Sequence, residues 1–177
     1  MTVRKVLTYP NKVLCEVSQP VEDFESNEFK QLCEDLSDTL HVQRAHGLAA
    51  IQIGVPSRVF IIAGDQGIQF FVNPKYIETK GTIKWREGCL SFPGVEEQIE
   101  RHEEVTLKAR DETGREFTVC VDALEAVAVQ HEHDHLDGIL FIDKVSNLKK
   151  RFMVKKLKKL QKKYGRTHAK TPRKHGW

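Results

Sequence analysis

The run His131-Glu132-His133-Asp134-His135 restricts the fold more than any other stretch of this chain. On an α-helix, residues four apart share a face, so His131 and His135 stand together with Glu132 beside them. The flanks support a helix: Asp122 and Glu125 have capping-box spacing, and Gly138 is a suitable C′ stop. Leu124, Val127 and Ala128 fall on the same stripe as the two histidines. The fold must therefore point two imidazoles inward on an apolar face. Their ring nitrogens need partners there, and a divalent cation satisfies both lone pairs at once. Histidines also sit on amphipathic helices for ordinary reasons, so the five-residue run alone leaves both readings open. His133 lies off the stripe and is expected at the surface.

At 177 residues the chain suits one domain with a substantial core. It holds no apolar run long enough to span a bilayer, and Met1-Thr2-Val3-Arg4-Lys5 opens no signal peptide, so a cytoplasmic protein is expected. Cys15, Cys33, Cys89 and Cys120 are irregularly spaced without a C-x-x-C pair, which fits a reducing compartment. Cys33 continues a stripe with Phe29, Leu32, Leu36 and Leu40, and Cys120 lies in a strand-like run at 117–121; both are expected to be packing residues. The net charge of +3 conceals a strong asymmetry. Residues 1–148 hold 15 Lys and Arg against all 25 Asp and Glu, whereas residues 149–177 hold 13 basic residues and no acid. A basic tail on an acidic body points to a phosphate backbone as partner.

A helix is predicted from about Asn27 to about Arg44, followed by the small-residue segment 45–50. Strands are predicted at 59–63 and 70–72 around a turn at Gly64-Asp65-Gln66-Gly67, and further on at 98–102, 104–110 and 116–121. Asp111-Glu112-Thr113-Gly114 makes the hairpin turn between the last two. Ser146 caps a final helix whose apolar face would be Leu148, Phe152, Leu157 and Leu160, with Gly165 as its stop. Strands grouped before a helix imply an α+β fold: antiparallel or mixed sheets packed around a central HExxH helix, with an N-terminal helix and a basic C-terminal helix. The chain divides into a body at 1–148, the basic helix at 149–165 and a basic, flexible tail at 166–177.

A catalytic zinc-type site takes three protein ligands and keeps one position open, and the helix supplies two. The best source of the third is Glu87-Gly88-Cys89-Leu90-Ser91-Phe92-Pro93-Gly94, where Cys89 stands between Gly and Pro punctuation. A thiolate there would be stabilised by the cation and would suit Fe(II) or Zn(II); alone, Cys89 reads first as a small buried hydrophobe. In Gly47-Leu48-Ala49-Ala50-Ile51-Gln52-Ile53-Gly54, Gln52 is the one polar side chain of an apolar run. It either bonds backbone in the core or donates to a reacting oxygen.

Together, segments 47–54, 87–91 and 130–138 resemble peptide deformylase, in the order and approximate spacing of that family. The resemblance implies removal of the formyl group from formyl-methionine at the N-termini of new polypeptides. It places the metal on Cys89, His131 and His135, and implies Fe(II) as the native ion, with Zn(II), Ni(II) or Co(II) able to replace it. It makes Glu132 the acid/base, the Gln52 amide and Leu90 N–H the oxyanion donors, and Gly47 and Leu48 the edge along which a peptide adds as a strand. The expected chemistry is attack by a metal-bound hydroxide on the formyl carbon, Glu132 carrying the proton to the leaving amine. Leu124, Val127 and Ala128 would line the methionine pocket; they serve equally well as core. Departures from the family pattern fall at Ala45, His46, Trp85 and the acidic pair Glu96-Glu97, and bear on substrate preference. The basic C-terminus matches the use of such a helix by some similar enzymes to dock on ribosomal RNA; neither DNA nor a membrane is an expected partner. Two rival readings remain: a zinc endopeptidase, which would take its third ligand downstream, where only Asp143 and His168 offer one, and a non-catalytic ribosome-associated protein of the same fold.

Overall fold

The computed structural model describes residues 2–164. Gly165 and the tail at 166–177 lie outside the described residues. The first helix, α1, spans Asn27–Gln43. Ser26 caps it by accepting a hydrogen bond from the Phe29 N–H at 3.3 Å, and Arg44 ends it with a left-handed φ of 51°. Seven strands follow: β1 Gly47–Ala49, β2 Val59–Gly64, β3 Gly67–Lys80, β4 Ile83–Gly88, β5 Glu96–Arg101, β6 Glu104–Arg110 and β7 Glu116–Asp122. A 3₁₀ turn at Ala50–Ile53 separates β1 from β2. Helix α2 spans Ala123–Leu136 and carries the whole HExxH run; after a 3₁₀ turn at Phe141–Lys144, α3 spans Asn147–Tyr164. The strands form a five-stranded sheet in the order β1-β2-β3-β6-β7 and a separate β4-β5 hairpin. Every pairing between these strands is antiparallel. The fold is the expected α+β type.

Strand β2 explains the layering. Val59 and Ile61 pack with Phe29, Leu32, Leu36 and Leu40 of α1, while Phe60 and Ile62 pack with Ala126, Val129 and Leu136 of α2. Side chains alternate along a strand, so a sheet covered on both faces needs an unbroken apolar run, which Val59-Phe60-Ile61-Ile62 provides. Phe60 stacks on its cross-strand partner Phe71 with ring centroids 4.7 Å apart. Each fully buried side chain of this size contributes about 1.5–3 kcal/mol. A third cluster joins Phe92, Val95, Ile99 and Phe141 to Met153 and Leu157 of α3.

Several expectations change. Strand β3 is much longer than 70–72, because shifts of register between Val72 and Lys75 and between Tyr76 and Glu78 carry it past Pro74 to pair with β6. Such bulges break the alternation by which strands are recognised. Strand β4 was not expected; its partner β5 makes it a hairpin, with Trp85 opposite Ile99. On α3 the inward residues are Met153 and Leu157, with Val154 and Leu160 against them, whereas Leu148 and Phe152 stay more than 60% exposed. Phe152 sits one residue, hence about 100° of helical turn, from Met153. Lys149 pairs with Glu97 at 3.1 Å and Lys150 pairs with Asp143 at the exposed first turn, while the buried Met153 and Leu157 orient the helix. Cys33 is half-buried against the α1 cluster as expected, its thiol pushed up to about 12 by burial and by Glu112 and Glu34. Cys120 is exposed and is not a packing residue, since it faces outward where its neighbour Val121 faces in.

Candidate metal centre

Helix α2 packs Ala126, Val129 and Leu136 on the five-stranded sheet and turns His131 and His135 toward the β4–β5 hairpin and Phe141, where the loop that leaves β4 brings Cys89 to meet them. One ligand atom from each of the three residues lies within 4.8 Å of the others. Cys89 Sγ is 3.3 Å from His135 Nε2. His131 Nδ1 meets Glu87 Oε2 at 2.8 Å, which leaves Nε2 as the coordinating nitrogen. Both rings are at most 5% exposed. Burial, together with the charges of His131 and Arg101, lowers the pKa of His135 well below the ordinary histidine value and keeps that ring neutral. One sulfur and two imidazole nitrogens converging in a buried space fit a three-ligand site for a divalent transition metal. His135 Nδ1 and Glu132 Oε2 are buried without a hydrogen-bond partner among the described residues, as polar atoms beside an ion or substrate site would be.

Behind His131 stands an ionic network that the sequence did not reveal. Glu87 is fully buried and accepts from Arg101 Nε at 2.6 Å and Nη2 at 2.9 Å. Arg101 also bonds Asp134, which Lys144 approaches at 3.1 Å. Burial would raise the pKa of Glu87, but the hydrogen bonds and charges of Arg101 and His131 hold it at about 2. For His131, burial pulls the pKa down, and contact with Cys89 and Glu87 reverses this and lifts it well above the ordinary value. No periodicity or spacing ties Glu87 to Arg101; only the β4–β5 pairing and the approach of α2 bring these charges together.

Glu132 is 5% exposed, and burial raises its pKa to about 7, so it is poised to exchange a proton near neutrality. Its carboxylate lies over Gly47, where a Cβ would come within 2.6 Å of Oε1. The glycine is needed there for close approach, not for an unusual φ. Gln52 accepts from the Ala49 N–H through Oε1 at 2.9 Å, and its Nε2 points to Cys89 Sγ at 3.4 Å and Ser91 Oγ at 3.3 Å. The oxygen bonds backbone, as the first of its two readings has it, and the nitrogen faces Cys89 and Ser91. Leu90, next to Cys89, is half-buried against the α1-side core.

The structure separates the remaining candidates. Leu48 is fully buried on the α1 side, Val127 is fully buried, Ala128 is in the α2-side core, and Leu124 is the half-buried member of the four. His133 contradicts the expectation of exposure: it is 6% exposed, its ring centroid 4.5 Å from that of Tyr76, with Nδ1 3.4 Å from Asp137. His133 continues the face of α2 that carries Ala126, Val129 and Leu136, and β3, which pairs Tyr76 with Leu107, reaches far enough to cover it. The capping box is also absent. Asp122 makes no side-chain cap bond, because Ala123 takes a left-handed φ of 47° and donates its N–H to Glu103 at 2.9 Å. Gly138 does close the helix, with φ 69° and its N–H on the His135 carbonyl. Trp85 remains 37% exposed on β4, and Glu96 and Glu97 are paired with Arg86 and Lys149.

Residues 3–151 match the profile of the polypeptide deformylase family. A peptide deformylase of Helicobacter pylori is 43% identical over 171 residues, covering 92% of this chain and 98% of the relative. One from Pelagibacter ubique is 43% identical over 168 residues, covering 91% and 96%. The crystal structure of a peptide deformylase from Legionella pneumophila superposes with a TM-score of 0.88 at 36% identity, covering 97% of this chain and all of the other.

Proposed function

This chain belongs to the polypeptide deformylase family, and we propose that it hydrolyses the formyl group from the N-terminal formyl-methionine of nascent polypeptides with a metal held by Cys89, His131 and His135. The convergence of those three donors beside the buried Glu132 carries the reading. A divalent ion there, Fe(II) as the native metal and Zn(II), Ni(II) or Co(II) as substitutes, would supply Lewis-acid activation of water near neutral pH.

The chain's own residues divide the rest of the work. Glu87 holds His131 by Nδ1, so the ring cannot turn its other nitrogen away. Glu132 accepts the proton of the attacking water and passes it to the leaving amine, a role that its burial beside the three donors suits. Gln52 Nε2 and the Leu90 N–H donate to the formyl oxygen as charge gathers on it; a donor in a comparable hole is worth about 2.7–4 kcal/mol. Strand β1 is at the edge of the five-stranded sheet, so an extended peptide can add beside Gly47 and Leu48 through backbone bonds. Leu124, Val127 and Ala128 would form the floor of the methionine pocket, with Ala45, His46 and Trp85 adjusting preference at its rim.

The endopeptidase reading would take its third ligand downstream, whereas among the described residues Cys89 stands with His131 and His135. Asp143 is engaged by Lys150 and by the Leu140 N–H, and His168 lies outside the described residues. A non-catalytic role leaves the buried Glu132 and the three-donor cluster without purpose. No helix among the described residues is long and apolar enough to cross a membrane. We assign ribosomal RNA as the partner of α3, where Lys150, Arg151, Lys155 and Lys158 line a groove with Asn147 and Val154. Anaerobic purification, metal analysis and an assay on formyl-Met-Ala test the reading. One equivalent of metal with formate release supports it; metal-replete protein that releases no formate overturns it.

A further inference from the structure

We infer that Ser91 is a positioning residue for the oxyanion donor Gln52, its hydroxyl holding one of the two amide protons so that the other faces the reacting oxygen; this rests on the deformylase reading above. Ser91 is fully buried and Gln52 is 2% exposed. The amide has one sensible orientation, since the Ala49 N–H at 2.9 Å demands oxygen at its own end. That places both Nε2 protons toward the metal-centre side. One has an acceptor in Ser91 Oγ at 3.3 Å, and the other faces Cys89 Sγ at 3.4 Å. Sulfur is a weak acceptor, so the second proton is the one a developing oxyanion can claim.

The backbone holds both partners still. The Gln52 carbonyl accepts from the Leu7 N–H at 2.7 Å, and the Ser91 carbonyl accepts from the Tyr9 N–H at 3.0 Å. One N-terminal segment thus ties the 3₁₀ turn that carries Gln52 to the loop that carries Ser91. Without the hydroxyl, a buried proton lacks an acceptor, and the amide relieves this by rotating toward Cys89. The donor then no longer points where charge develops. An effect of this kind belongs to the transition state, so kcat falls and KM does not move.

The test uses the metal-loaded enzyme and formyl-Met-Ala, with Ser91→Ala, Ser91→Cys and Ser91→Thr made in the wild-type and Gln52→Ala backgrounds. In the wild-type background, Ala and Cys should each lower kcat on the order of ten- to a hundredfold with KM and metal content unchanged. Thr should restore most of the loss. In the Gln52→Ala background, Ser91→Ala should cost nothing further. NMR of the zinc-loaded protein supplies a second readout, because Ser91→Ala should move one of the two Gln52 Nε2 proton signals and Ser91→Thr should leave both in place. An equal fall in kcat in the two backgrounds, or unmoved amide signals with unchanged kcat, overturns the inference. Should Ser91→Ala fail to fold, the Cys and Thr pair decides the question. Wild-type enzyme without formate release would instead sink the deformylase reading, and the NMR comparison would still judge Ser91.

Discussion

At the scale of single residues, the site depends on groups that burial makes expensive to disturb. Glu132 lies beside the three donors and outside that set, so Glu132→Gln should retain the metal and lose turnover by roughly 10²–10⁴-fold. Metal analysis alongside a rate assay separates the two, and wild-type turnover in the metal-loaded variant would remove Glu132 as the base. Cys89→Ser replaces a soft ligand by a hard, poorly ionised one and should release metal during dialysis against a chelator that leaves the wild type loaded. Equal stoichiometry after the same dialysis would take Cys89 out of the site. Arg101 has a structural task in addition to any role in orienting His131. Arg101→Leu leaves the fully buried Glu87 without its bidentate partner, which should cost about 3–5 kcal/mol. Urea unfolding measures this, and a loss below about 1 kcal/mol would mean that other groups compensate the charge.

Helix α2 differs at its two ends. Its C-terminus is closed by Gly138, where a Cβ would strike the Cys15 carbonyl oxygen at 2.5 Å. Its N-terminus is strained, since Ala123 takes φ 47° with no side-chain cap from Asp122. A left-handed conformation costs an L-residue roughly 1–2 kcal/mol, and glycine returns less than that in unfolded-chain entropy. Ala123→Gly should therefore leave stability unchanged or raise it by up to about 1 kcal/mol, against the usual helix penalty of about 0.5–1 kcal/mol. A thermal melt that shows the usual penalty would mean that Ala123 carries no strain. Helix α3 contributes Met153 and Leu157 to a core it shares with Phe92 and Phe141, so it is part of the folded body and not an appendage to it.

For the whole molecule, charge is segregated along the chain, and truncation can separate folding from targeting. Ending the chain after Gly165 removes Arg166, Lys170, Arg173 and Lys174, all outside the described residues. Small-peptide turnover should be unchanged, while ribosome co-sedimentation should weaken and show a shallower salt dependence, because fewer counterions are released. Identical binding curves at all salt concentrations would assign those residues no part in docking. The existence of most elements was legible in the sequence, since each rests on a local period: α1 on its stripe from Phe29 to Leu40, β2 on an unbroken apolar run, and the turns on Gly64–Gly67 and Asp111–Gly114. The candidate donors His131 and His135, with Glu132 beside them, were legible from helical spacing, whereas Cys89 joined them only through the resemblance to peptide deformylase; the fold brings the three candidate ligands together.

Other features depend on partners far along the chain. His133 is covered only because β3 reaches far enough to set Tyr76 against it. Glu87 and Arg101 are joined only by the β4–β5 pairing and the approach of α2, and the inner face of α3 is set by Met153 and Leu157 packing on Phe92 and Phe141. Local sequence thus determined which segments become helix or strand and which residue types can hold a metal, because those depend on backbone period and donor chemistry within a few residues. Tertiary structure decided which faces are buried, which charges neutralise one another and how Gln52 is aimed, because each of these requires groups that only the assembled fold brings within hydrogen-bond distance.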